Sequence, residues 1–266
     1  MGTRRRIATL ALLLAACGAL AAGAGAEVIQ SGGVRVNFHA EFAPVALPRE
    51  TPAPITVDVG GKISSTNGGH PPALRQMRVE LNSAGRIETR GLPACTGSLL
   101  QSTSTTAALE RCGPAQVGTG TFQVQLGLAA GKLTQVDGRA LVFNGRVGGH
   151  AGMLIHIYVT SPVRVTLVIP LKISRRGGKF GTVLTTNVPS LAGGSGSITD
   201  LQLKIGRSYT YGGRRRSYLS AACAAPSGFP GIVFSFARGT FTFTGGQTMH
   251  TTLTRECQVR KPAGSG

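Results

Sequence analysis

VRVTLVIPLKIS, residues 163–174, alternates with a period of two. Val163, Val165, Leu167, Ile169, Leu171 and Ile173 fall on one side, and Arg164, Thr166, Val168, Pro170, Lys172 and Ser174 on the other. Successive side chains of a strand point to opposite faces, so this is a strand with one buried face. Pro170 has no N–H to give to a ladder, which puts the run at a sheet edge or at a bend.

The same alternation recurs on both sides of it. Val34, Val36, Phe38, Ala40 and Phe42 form one set; Ile55, Val57 and Val59 another; then Met77, Val79 and Leu81, and Phe122, Val124, Leu126 and Leu128. Ile198, Leu201, Leu203 and Ile205 slip register around Asp200. Ile232, Phe234 and Phe236, Phe241 and Phe243, and Met249, Thr251, Leu253, Arg255 and Cys257 complete the pattern. Gly177-Gly178, Gly212-Gly213 and Gly245-Gly246 separate such runs, as hairpin turns with positive φ require. About a dozen strands are expected. One short helix is expected over Ser98–Arg111, with Ser102 or Ser104 as N-cap and Gly113-Pro114 as its stop.

Many short strands with almost no helix predict an all-β fold. The expected architecture is an antiparallel β-sandwich, Ig-like or jelly-roll-like, or a partly closed barrel. Residues 27–260 are read as one large domain; the alternative is two β-domains split near 130, at Ala129-Ala130-Gly131. The proline-rich stretch 43–54 reads as an extended connection, and 261–266 as a disordered tail.

The chain of 266 residues carries 39 Gly and 14 Pro, which is too little glycine for collagen and too much for a coiled coil. Residues 1–26 read as a signal peptide: Arg4, Arg5 and Arg6, then an apolar run, then Ala24-Gly25-Ala26 as an A-x-A cleavage site. No second apolar stretch of that length follows, so no transmembrane span is expected in the mature chain. Leu14-Ala15-Ala16-Cys17-Gly18 also fits a bacterial lipobox, in which case Cys17 is lipidated and anchors the protein. The expected location is therefore secreted or cell-surface.

Four cysteines remain: Cys95, Cys112, Cys223 and Cys257. Of the three connectivities, proximity in sequence favours Cys95–Cys112 and Cys223–Cys257. A zinc site would want closely spaced C-x2-4-C pairs, and the chain has none.

The formal net charge is +18 for the whole chain and 25 − 10 = +15 once residues 1–26 are removed, which draws an exported protein towards anionic wall polymers, lipid headgroups or extracellular DNA. Specific nucleic-acid recognition is disfavoured, because aromatics are 5% of the chain and most phenylalanines fall on buried strand positions. Two basic turns form a candidate anion-binding set: Arg175, Arg176 and Lys179, and Arg214, Arg215 and Arg216 with Tyr209, Tyr211 and Tyr218. Solvated hairpin tips that blunt a sheet edge are the plainer account of the same residues.

Catalytic chemistry is thinly provided. Acidic residues number 10. Glu80 and Glu88 could face each other across a hairpin, yet Arg78, Arg86 and Arg90 lie beside them as ion partners. The histidines, His39, His70, His150, His156 and His250, show no metal-ligand spacing. There is no G-x-S-x-G, H-E-x-x-H, Walker or Rossmann motif, so no catalytic residue, metal or cofactor is assigned.

Three segments carry a family likeness: Gly91 to Cys95, Glu110 to Pro114 with Val117 to Phe122, and Arg216 to Phe229, the last around Cys223. They resemble a set of uncharacterised exported β-rich proteins of high-GC Gram-positive bacteria. The resemblance implies no activity. The expectation is an exported binding or structural module that contacts anionic envelope polymers or other envelope proteins. The alternatives are a secreted hydrolase on a β-scaffold and a subunit of a surface assembly.

Overall fold

A computed structural model describes residues 26–127, 132–161 and 164–260. The export signal but for Ala26, the lipobox Cys17, Leu128, the boundary near 130, Val163 and the tail 261–266 lie outside the described residues. The strands are β1 (Glu27–Ser31), β2 (Val34–Ala43), β3 (Ala46–Leu47), β4 (Ala53–Pro54), β5 (Thr56–Ser65), β6 (Leu74–Asn82), β7 (Gly85–Ile87) and β8 (Cys95–Thr96). After the helices α1 (Gly97–Leu100) and α2 (Thr105–Cys112) come β9 (Gln116–Gly127), β10 (Leu133–Val147), β11 (His150–Val159), β12 (Val165–Arg175), β13 (Phe180–Asn187) and β14 (Gly196–Ile205). The chain ends through β15 (Ser208–Tyr211), β16 (Arg214–Ser217), β17 (Leu219–Ala221), β18 (Gly231–Phe243) and β19 (Thr248–Val259).

The all-β expectation holds, but the sandwich does not. Fourteen strands belong to one hydrogen-bonded sheet, in the order β1-β2-β5-β14-β9-β10-β11-β12-β13-β6-β18-β19-β3, with β8 added beside β10. The sheet is mixed, since β8 and β3 pair in parallel with β10 and β19. It curls until its two ends meet. Arg255 Nε donates to the Ala40 carbonyl at 2.7 Å, and Gln247 Nε2 to that of Ser31 at 2.5 Å, so side chains of β19 and its turn close on β1 and β2. Inside this seam Phe38 and Phe241 meet edge to face, 5.4 Å between centroids. Alternation requires only that one face of each strand be buried, and a curled sheet meets that as well as two stacked sheets do. Bulges supply the curvature, at Ile198/Asp200 where the sequence slips register, and at Ser235/Ala237.

The run at 163–174 behaves as its proline demands. β12 pairs with β11 over Val165–Lys172 but with β13 only over Lys172–Arg175, so Pro170 lies where the strand has one neighbour. Leu167, Ile169 and Leu171 point into the core. Gly212 and Gly213, at φ 59° and 71°, make the two-residue turn between β15 and β16 that strand twist favours.

Two cores result. The inner one lines the concave side of the sheet. The outer one lies under α1 and α2, which cover the convex side of β10 and β11 and bury Leu100, Ala108, Leu141, Phe143 and Leu154. This is why Ala140 to Asn144 are buried on both faces. The single helix expected over Ser98–Arg111 is broken in two. Ser102 takes φ 56°, and Thr103 turns inward, where its hydroxyl donates to Leu100 O and meets His156 Nε2 at 3.0 Å. That buried polar pairing outweighs helix continuity. α2 then starts afresh with Ser104 as N-cap, its hydroxyl accepting from Ala107 N. Both disulfides form as proximity favoured, Cys95–Cys112 and Cys223–Cys257, with Cα separations of 5.6 and 5.7 Å. A small sheet, β4-β17-β7, and the β15–β16 hairpin stand apart from the main sheet.

Candidate ligand cavity

An eight-stranded barrel is just wide enough for its own side chains to fill. This sheet is longer, and its inward side chains do not meet in the middle. A cavity of about 190 Å³ remains, lined by residues of β2, β5, β6, β11, β12, β14, β17 and β18. Val57, Val59, Leu74, Met77, Leu201 and Phe234 face it and are only half-buried, although they belong to the inner core. Small residues widen it. Gly61 pairs with Phe38 on one side and Leu201 on the other, all three lining the cavity. A Cβ placed on Gly61 would find nothing nearer than the Asn37 carbonyl oxygen at 3.8 Å.

The wall is almost wholly apolar. Among the described residues, the lining residues with a polar side chain are Asn82, Arg86 and Ser220, at the end of β6, in β7 and in β17. Arg86 and Ser220 are register partners in the small sheet. At this end the cavity adjoins an open depression lined by Arg49, Glu50, Ser83 and Ser227; Ala84, Arg86 and Ala222 line both. Arg49 is held by the carbonyls of Ala225, Pro226 and Phe229. Asn82 is also committed, donating to Ser235 O and accepting from Ala84 N. Arg86 is exposed, and its guanidinium makes no hydrogen bond or ion pair among the described residues.

The two basic turns end on one short segment. Arg175 donates to Ile87 O at 3.1 Å, and Tyr209 to Arg90 O at 2.8 Å. Tyr211 packs so closely on Gly91 that a Cβ there would fall 2.3 Å from its ring, and Arg216 stands over that ring at 5.7 Å. Tyr218 is fully buried, with its phenol pushed well above the ordinary range by desolvation, so it presents nothing to a surface ligand. Arg214, Arg215 and Lys179 are exposed, and Arg176 reaches Glu80 at 3.7 Å. Much of the arginine is spent on the fold: Arg111 donates to a backbone carbonyl of α1, and Arg146, Arg207 and Arg260 to carbonyls of loops and of the edge strand β3.

Glu80 is the buried carboxylate of this region. It lies on the outer face between β13 and β18, and takes Arg78 at 2.9 Å and Arg238 at 2.5 Å. Burial alone would raise its pKa; the two guanidiniums more than reverse that and hold it below the ordinary carboxylate range. Because the unfolded chain binds that proton more readily, the contribution of Glu80 is complete above about pH 4.5 and is lost as pH falls through the lower folded-state value. Glu80→Gln is expected to cost about 2 kcal/mol at pH 7 and much less at pH 3, by urea unfolding at both. An equal cost at the two pH values counts against it. Glu88 accepts instead from the backbone N–H of Arg90.

Among the described residues, serine and histidine meet once in a suggestive order. Ser197 Oγ lies 3.2 Å from His70 Nε2, whose Nδ1 is 2.9 Å from Gln125 Oε1. Ser197 is buried, its hydroxyl donates to Pro71 O, and it lines neither the cavity nor the depression. The chain of bonds pins the loop before β6 to β9 and β14. His156 is fully buried under the helices, and desolvation lowers its pKa. Among the described residues no three His, Cys, Asp or Glu side chains gather as a metal site, and no helix is long and apolar enough to cross a membrane.

The chain matches no known family model, no curated protein and no solved structure. Fold and cavity define a class, a curled single-sheet β-protein with an apolar interior. Sequence reading did not find that interior. Its one trace is Gly60-Gly61 in the middle of an alternating strand, where no turn occurs.

Proposed function

We propose that this is an exported binding protein of the cell envelope that holds an apolar molecule inside its curled sheet. The observation that carries the reading is the cavity of about 190 Å³ walled by aliphatic and phenylalanine side chains. Folded interiors are close-packed, and an empty void of this size costs on the order of several kcal/mol. An apolar cavity stays dry when empty, and an apolar guest recovers the lost contacts. An apolar cavity of about 150 Å³ holds benzene, so the space suits an apolar guest of about eight carbon atoms. The two disulfides fit an oxidising compartment outside the cytoplasm. Export by residues 1–26, with release or with anchoring through Cys17, belongs to the same proposal.

Titration with a small fluorescent apolar probe, indole, tests the reading, since the chain has no tryptophan to mask its emission. Saturable binding of one molecule per chain is expected, with a Kd at least tenfold weaker in Gly61→Leu and an unchanged or higher Tm for that variant. Unsaturable binding, or equal affinity in the two proteins, overturns it.

A second reading has its own observation. Arg214 and Arg215 stand exposed at the β15–β16 hairpin, where guanidiniums can meet anionic envelope polymers or an acidic face of another envelope protein. Equal retention of wild type and Arg214→Ala/Arg215→Ala on isolated cell wall would remove it.

A further inference from the structure

We infer that the guest is a single-chain anionic amphiphile, with its hydrocarbon chain in the cavity and its headgroup on Arg86. This rests on reading the interior as a ligand cavity and names the chemistry of what fills it. The cavity is chemically lopsided. Among the described residues, those in its lining that carry a polar side chain lie at one end, and the rest are aliphatic, aromatic or glycine. A guest that matches it carries one polar terminus and an apolar body.

The charge at that end sets the sign of the terminus. Arg86 lines both the cavity and the open depression, so a headgroup beside it would touch water while its chain lay inside. Its guanidinium is unengaged among the described residues, unlike Arg49, Arg175 and Arg207, which are committed to carbonyls. Arg49 and Arg175 still add positive charge nearby, the latter bonded to Ile87, the next residue along β7. Glu50 is the acid in the lining of the depression. A cationic headgroup would meet net repulsion, and a neutral one would leave the fork unpaired. An anionic headgroup with two oxygens in one plane accepts both N–H groups of the fork. Carboxylate and phosphate share this chemistry. Ser220, the register partner of Arg86, offers a hydroxyl on the same side of the small sheet.

The sequence obscures this assignment. Arg86 sits two residues from Glu88 and looks like its ion partner, whereas Glu88 turns to the backbone of Arg90. That release is what leaves Arg86 available.

The test compares octanoate, octyl phosphate and octanol, each below the concentration at which it aggregates, as competitors of the fluorescent probe. Wild type and Arg86→Gln are measured at low salt. At least one of the two anions is expected to bind wild type about tenfold more tightly than octanol, and the anion affected identifies the headgroup. In Arg86→Gln that preference is expected to vanish while octanol binds as before, which also shows that the variant is folded. Equal binding of all three by wild type, or an anion preference that survives in Arg86→Gln, overturns the inference but leaves the cavity reading standing. If none of the three displaces the probe, the cavity reading itself fails.

Discussion

Replacing Cys223 and Cys257 together by serine is expected to lower the stability of the protein by about 4 kcal/mol, and Cys95 with Cys112 by about 3 kcal/mol. The order follows from the separations of 34 and 17 residues, since a longer loop gains more freedom when its closure is lost. Burial adds to both. Cys223 and Cys257 are 0% and 1% exposed, so serine hydroxyls there enter an apolar core. The first bond also has a structural position that the second lacks. It ties the segment leaving β17 to β19, and so holds the small β4-β17-β7 sheet over the polar end of the cavity. Urea unfolding of wild type, both double variants and reduced wild type reads the effect. Reduction without any change in the midpoint would show that the bonds contribute nothing.

Phe143→Ala is expected to cost about 4 kcal/mol, and Leu201→Ala only about 1 kcal/mol. Both residues are large, apolar and on long central strands. Phe143 is 0% exposed in the outer core, packed under the helices with Leu100, Cys112 and Leu154, so its removal leaves a hole among atoms that cannot move in. Leu201 faces the cavity and is half-buried, so shortening it enlarges a space that already exists and forfeits few contacts. The same substitution in Leu201 should shift preference towards a bulkier chain. Equal costs at the two sites, by urea unfolding, would mean that the interior is as solid as the outer core and that the cavity is not there in solution.

These contrasts trace what a strand pattern can and cannot carry. The faces of β2, β12 and β19 were legible because alternation is a local property of the backbone, and burial follows it residue by residue. Pro170 announced its one-sided pairing, and the slip at Asp200 announced a bulge. Cys95 and Cys112 flank the helical excursion closely enough for their pairing to be read. The break at Ser102 was not legible, because it depends on His156, which lies far along the chain and reaches Thr103 only after β11 has passed beneath the loop.

The cavity and its polar end belong to the second kind. Gly61, Leu201 and Phe38 come from three strands, and only their register sets them side by side. Arg86 was visible as a charge, but what it lacks is a partner, and partners are decided by folding. Residue order alone established β-strands, inward and outward faces, turns and two sulfur bridges, since these depend on neighbours along the chain or on short loops. Whether those strands stack as two layers or curl into one, and whether the space they enclose is filled, depends on the summed twist, bulges and side-chain volumes of fourteen strands at once. That sum is long-range, and no segment of the chain contains it.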